Sequence, residues 1–462
     1  MLKGSLKMYA KMIAFLLILI NSTQIFCQNI EPNKVATEYW LPSEVDKVVW
    51  AGRGDILLFQ MNKLARVAIF DIKSEKIISY IPFDGSSDTL VVGTAESIIL
   101  IAKDKKTMQR WTIEPLAKTM TVPMPPLINP TRQKVEIVSA AGGYASNSPF
   151  MILTCDGPQF YNSTTLKPIA SEKMRAELFH TWLDSKPIVL SASADGSTFA
   201  GSNYYGIRTI RLDGANQIGK FDSANVGSAG LSADGMFLFA SNGGIFSNDL
   251  KKIDYKDQNS YLPTLHPAYF LGILEENKNR QKEIILSLYN MGDRSVLLTI
   301  NNLLGYGRYI YDSECLVLSR SDRIIGHPGM KKLIIIDETR TFLYIHPLDV
   351  IKGLEEKNEQ YLFVESYPIT TIPKNKKYEY AIKVASKSGN VKFRLDSGPQ
   401  NMKISSEGII TWQVPVNYME EKASVIVAIE DSSKRNIFHS YTILNNNIPK
   451  PPPPPPQPPR KK

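Results

Sequence analysis

Ser193-Ala194-Asp195-Gly196 returns 39 residues later as Ser232-Ala233-Asp234-Gly235. Apolar runs flank both copies, and Ser202-Asn203 follows the first at the same distance as Ser241-Asn242 follows the second. Asp-Gly supplies positive φ angles, so each copy predicts strand, two-residue turn, strand. A hairpin that returns near this period predicts one four-stranded sheet per repeat, the spacing of a propeller blade. The repeat names an architecture. It names neither a ligand nor a reaction.

Working outward, short apolar strands group into seven units. The first runs from Val48 through Ile56-Leu57-Leu58-Phe59, Val67-Ala68-Ile69-Phe70-Asp71 and Ile77-Ile78-Ser79-Tyr80. The second holds Leu90-Val91-Val92, Ile98-Ile99-Leu100-Ile101 and Met108-Gln109-Arg110-Trp111, and the third starts near Val135 and includes Phe150-Met151-Ile152-Leu153. Units four and five are the Asp-Gly copies, starting near Ile188 and Val226. The sixth begins about Leu265 and the seventh about Asp322, with Leu333-Ile334-Ile335-Ile336 inside it. The expectation is an all-β chain with a seven-bladed β-propeller over residues 40–354, six or eight blades also fitting the weaker units. One closed ring is expected, because closure protects every blade's edges. Helical periodicity is scarce, with Ser171 to Leu178 the best short candidate.

In the first two units, apolar strand, turn and apolar strand lead to a strand ending in Phe70-Asp71 or Arg110-Trp111-Thr112. This resembles WD40-like and YVTN-like bacterial propellers, although the Gly-His and Trp-Asp dipeptides of true WD40 repeats are missing. The likeness covers Val48 to Asp349.

The texture then changes. Glu355-Glu356-Lys357-Asn358-Glu359 reads as a charged linker over 355–365 that few contacts cross. Beyond it, Tyr378-Glu379-Tyr380-Ala381-Ile382-Lys383-Val384 alternates with period two, as a half-buried strand does. Gly408-Ile409-Ile410-Thr411-Trp412, Pro415, Ser424-Val425-Ile426-Val427 and Asp431 follow. This order is similar to the cadherin-like, or immunoglobulin-like, repeat of bacterial surface proteins, and implies a small β-sandwich over 366–446. The resemblance implies that Gly408 serves a turn, Trp412 packs the inter-sheet core and Asp431 lies near a strand end. No Asp-x-Asp or Asp-Arg-Glu cluster accompanies Asp431, so calcium is not implied.

Lys3, Lys7 and Lys11 precede an apolar run from Met12 to Ile20, broken by Asn21-Ser22-Thr23, with a cleavage point before Gln28. That layout predicts a signal peptide over 1–27 and an exported chain: periplasmic, cell-surface or extracellular. No membrane span is expected after cleavage, and Phe26 sits poorly for lipid attachment at Cys27. Cys155 and Cys315 then remain, expected as buried free thiols rather than a disulfide framework. At the other end, six prolines from Pro451 to Pro456 place a polyproline II tail over 447–462. The net charge of +9 is spread through scattered lysine pairs such as Lys251-Lys252 and Lys331-Lys332, so no nucleic-acid stripe is expected.

The search for chemistry is short. His180, His266, His327, His346 and His439 show no metal-ligand spacing. Three of them precede proline (His266, His327 and His346) and are expected at strand entries or in loops, independent of one another unless blades six and seven bring them to one face. No Gly-x-Ser-x-Gly elbow occurs. Gly52-Arg53-Gly54 and Gly305-Tyr306-Gly307 lack the third glycine of a dinucleotide loop. Glu275-Glu276 and Asp254 with Asp257 read as polar loops. Quinone-dependent propeller enzymes carry adjacent cysteines or repeated tryptophan motifs, and neither occurs here. No catalytic, cofactor-binding or metal residue is therefore assigned. The expected function is a non-catalytic, exported binding or scaffolding protein contacting an unidentified protein or envelope glycan; the alternative is a propeller enzyme with its site in the central channel.

Overall fold

Apolar runs bounded by turn residues pair antiparallel with their sequence neighbours along most of the chain. The computed structural model describes residues 36–445, apart from 84–88, 125–135, 170–188, 254–259, 304–317, 373–376 and gaps of one to three residues. The signal segment, the proline tail, Cys315, His180 and the helix candidate from Ser171 lie outside the described residues. The described residues from 38 onward form one compact unit.

Four-stranded sheets cover 47–82, 89–123, 189–222, 229–253 and 260–301, and a three-stranded sheet covers 137–161. A further four-stranded sheet takes three strands from 324–347 and its outermost one from residues 38–40 of the strand Thr37–Trp40. Among the described residues these make seven blades of a β-propeller. The ring thus uses residues just ahead of the start read from the sequence, because the first described strand completes the last blade.

The cores lie between blades, not within them. Ile98 and Leu100 pack on Ile56, Leu58 and Ile69 of blade one, while Ile99 and Ile101 pack on Phe150 and Ile152 of blade three. Successive side chains on a strand point to opposite faces, so a strand covered on both faces must be apolar throughout. The same scheme continues through Phe160 with Phe199, Ala200 with Leu238, Phe239 with Phe270, and Leu271 with Leu333. Ile325, Ile334 and Leu343 then meet Leu57 and Phe59, and the ring is closed. Blades approach closely at their inner strands: a β-carbon on Gly93 would fall 1.9 Å from the Trp50 carbonyl oxygen.

The Asp-Gly copies differ from the expected two-residue hairpins. Each is a five-residue loop, 193–197 and 232–236, between the strands Val189–Ala192 and Thr198–Asn203 and between Ala229–Leu231 and Phe237–Ala240. Only the glycines take positive φ, 68° at Gly196 and 70° at Gly235. The aspartates act as acceptors instead. Asp195 Oδ1 receives Ser193 Oγ at 2.6 Å and Ser197 N at 3.0 Å, and Asp234 Oδ1 receives Ser232 Oγ at 2.5 Å and Met236 N at 3.2 Å. The repeat is a side-chain-locked turn.

Residues after the ring form two three-stranded sheets, Lys377–Ala381 with Ile409–Gln413 and Lys403–Ile404, and Lys392–Ser397 with Lys422–Glu430 and Asn436–Leu444. They share one core of Tyr378, Tyr380, Ile410 and Trp412 with Val425, Val427, Ile429 and Ile443. Trp412 is buried and meets Tyr418 edge-on. Gly408 sits in a turn at φ 80°, and Asp431 follows its strand and accepts bonds from Ser386, Ser433 and Arg435.

Residues 355–365 are not a free linker. The helix Val350–Glu356 ends inside that segment, and the strand Leu362–Val364 pairs with Val384–Ser386. Leu362 enters the sandwich core, whereas Tyr361 and Phe363 join Leu354, Ala385, Tyr269 and Leu271 in a core shared with blade six. Alternation on this short strand serves two cores at once, which the charged run before it concealed.

Candidate functional site: the central channel

Seven inner strands surround a channel of about 610 Å³. Its two ends follow from strand direction. Lys47 begins the first inner strand, and Arg320 and Asp322 immediately precede the last, Ile324–His327. Asn203 and Asn242 lie at the same end, since Ser202 pairs with Val189 and Ala240 with Ala229 at the starts of their blades. That end is a polar mouth.

The opposite end is a floor of loops between each blade's first and second strands. Backbone bonds link blade to blade there: Gly52 N to Thr94 O at 2.9 Å, Ala95 N to Ser146 O at 3.0 Å, Ala145 N to Ala194 O at 2.8 Å and Ala194 N to Ala233 O at 2.7 Å. Leu265 N to Gly326 O at 3.0 Å and Arg53 N to Tyr144 O at 2.9 Å continue the belt. Trp50 lies against Tyr144 and His327, with ring centres 6.2 and 6.1 Å apart. Burial, with Asp234 and Asp195 nearby, pushes the Tyr144 hydroxyl above its ordinary value and keeps it neutral.

Blades six and seven do bring His266 and His327 to this one face, near enough that His327 helps to lower the pKa of His266. Both are tied to backbone. His266 Nδ1 accepts Ala268 N at 3.3 Å; His327 Nδ1 accepts Met330 N at 3.2 Å, and its Nε2 lies 3.2 Å from Gly54 O. Burial is the largest influence on His266 and lowers its pKa to about 4, so it stays neutral. His346 is buried near the end of the strand Phe342–Pro347, and His439 lies within Asn436–Leu444 beside Tyr380. Glu275 and Glu276 belong to the long strand Tyr269–Lys278 rather than a loop. Cys155 is half-buried rather than fully buried. Gly52–Gly54 is a short turn of the floor, while Gly305-Tyr306-Gly307, Asp254 and Asp257 lie outside the described residues.

The charged groups at the mouth escaped the sequence reading. Asp46 accepts Asn62 N at 2.7 Å and pairs with Arg340 at 3.1 Å. Arg320 donates to Ser260 Oγ at 2.5 Å, and Asp322 forms a reciprocal cap with Ser319. Burial raises the Asp322 pKa against the opposing effects of Ser319 and Lys47. Lys47 is the exception to this pattern of engaged groups. Crowding by the protein lowers its pKa, Asp322 pulls it back up, and Lys103 adds to the lowering. A signal was present: a lysine opening an inner strand of otherwise apolar residues. Among the described residues no group of three or more His, Cys, Asp or Glu could hold a metal ion, and no helix is long and apolar enough to cross a membrane.

No family model matches this chain, and no curated protein matches it. Solved structures do. It is similar to the β-propeller domain of Myceliophteria thermophila Cps50 (Swd1), with 12% identity over 68% of this chain and 99% of that one, at a TM-score of 0.42. It is also similar to the Kuenenia stuttgartiensis hydrazine synthase, with 8% identity over 70% and 99% and a TM-score of 0.40. A chain of the mitotic checkpoint complex shows 10% identity over 69% and 94%, with a TM-score of 0.42.

Proposed function

We propose that this chain is an exported, non-catalytic binding or scaffolding protein. The ring supplies a contact surface for a protein or an envelope glycan, and the cadherin-like sandwich serves as spacer or adhesive module. The observation that carries this reading is the commitment of the channel's ionisable groups, Lys47 apart, to structural bonds. Asp46, Arg320, Asp322 and His327 each hold a turn, strand or neighbouring blade in place. General acid–base or nucleophilic work asks for a pair of groups within hydrogen-bonding reach of each other and of a substrate. Exposed Val416, Met419 and Phe438 on the sandwich support an adhesive role, since such side chains favour contact with a partner.

The test is capture of envelope proteins by the purified chain from residue 28, with chemical cross-linking, alongside a glycan array. A saturable partner whose binding leaves Lys47→Met unaffected supports the surface reading. A turnover activity that disappears in Lys47→Met or Asp322→Asn favours the alternative, a propeller enzyme working in the channel.

A further inference from the structure

We propose that the channel is an internal binding site for a small organic anion with an aromatic body, whose charge is held by Lys47. This concerns the interior of the ring and stands independently of the surface reading above.

Three observations converge. The channel, at about 610 Å³, is large enough for a ligand, and pockets of roughly 300–1,000 Å³ are usual for small molecules. Its chemistry is graded along its length. Trp50 and Tyr144 line the floor end, Val92, Ala192 and Leu231 lie along the wall, and Lys47, Asn203 and Asn242 gather at the mouth. Finally, the ammonium of Lys47 makes no ion pair or hydrogen bond with another described residue, although the protein crowds it. Lys47 is half-buried at the mouth, and a ligand anion would supply the direct partner its charge lacks.

Nearby charges favour the same sign of ligand. Lys103 and Arg320, each engaged with other groups, add positive charge around Lys47; Asp322 likewise serves the Ser319 cap and Asp46 is paired with Arg340. A field focused in a narrow mouth attracts an anion of complementary charge. The asparagines offer amide donors, and the rings at the floor give an aromatic body a stacking surface.

The experiment uses two fluorescent probes of nearly the same shape, anilinonaphthalenesulfonate, which is anionic, and neutral phenylnaphthylamine. The full chain should bind the anion at least about tenfold more tightly, a difference that one charge-assisted contact readily produces. Lys47→Met should erase that preference, and Lys47→Arg should retain it. Ala192→Phe, which fills the channel wall, should abolish binding of both probes while the far-ultraviolet dichroism stays unchanged. Equal affinity of the wild type for the two probes overturns the proposal. So does full anion binding by a folded Ala192→Phe protein, which would place the probe on the outer surface. If Lys47→Met fails to fold, the wild-type preference and its survival in Lys47→Arg decide the matter.

Discussion

The ring and the sandwich are built from the same antiparallel strands, yet they distribute burial differently. In the ring, Ile98 to Ile101 are all buried, because this strand is covered on both sides by neighbouring blades. In the sandwich, Tyr378 and Tyr380 are buried while Lys377, Glu379 and Ala381 face outward, because one face of the sheet meets the other sheet and one meets solvent. The ring therefore spreads its stability over seven inter-blade cores, whereas the sandwich concentrates its own around Trp412. A single deletion should hurt the second more than the first.

The largest effect should come from Trp412→Ala. Truncating a buried indole costs about 3–5 kcal/mol, a large part of what a small domain holds in reserve. Denaturant unfolding should show the sandwich lost first, with the inter-blade cores retained. An unchanged midpoint would mean that Trp412 is not the keystone and that the comparison is wrong.

Phe363→Ala tests the seam and should come next, at about 3 kcal/mol. Phe363 meets Tyr269 of blade six edge-on, with ring centres 6.2 Å apart, so its loss removes a contact that both bodies share. Calorimetry of the wild type should give one coupled transition and the variant two separated ones. A fragment starting at 366 lacks the strand Leu362–Val364, so it should be less stable than one starting at 358. Two well-separated transitions already present in the wild type would show that the seam carries little.

Within the ring, Asp195→Ala and Asp234→Ala should each cost about 1 kcal/mol, the usual consequence of removing a side-chain acceptor from a local backbone bond. The two losses should be similar, because the turns share two corresponding bonds, with Asp195 also accepting Ser197 Oγ at 2.9 Å. A clear inequality, read from paired melting curves, would separate the two copies in energy as well as position.

Acid should act on both bodies at once. Burial lowers His266 to about 4 in the ring and His439 to about 4 in the sandwich, from an ordinary value of 6.5. Below 6.5 the unfolded chain takes up protons that the folded chain refuses. Stability should therefore fall as pH drops from about 6.5 towards 4 and level off once the folded histidines protonate. His266→Gln should flatten the part of this slope that belongs to the ring. A melting temperature that rises on acidification in this window would reverse the sign and exclude buried neutral histidines.

Legibility followed the physics of each signal. Blade strands were readable because burial on two faces demands unbroken apolar runs, as in Leu333-Ile334-Ile335-Ile336. The sandwich strands were readable through their period of two. The turn chemistry was only half readable: Asp-Gly marked the place, but Asp195 and Asp234 accept local hydrogen bonds instead of taking positive φ. The seam was hidden, because Tyr361 and Phe363 follow a charged run and their common partners lie far away in sequence.

The sequence by itself determined the repeating all-β architecture and the character of its two parts, since strand patterning, turns and composition are local properties of the chain. Only the tertiary structure decided which strand closes the ring, which residues line the channel and how the sandwich is joined to blade six. Lys47 and Asp322 are separated by nearly the whole propeller in sequence yet sense one another's charge in the channel. Ring closure brings them near each other, and such proximity between distant residues has no local pattern by which it could be read.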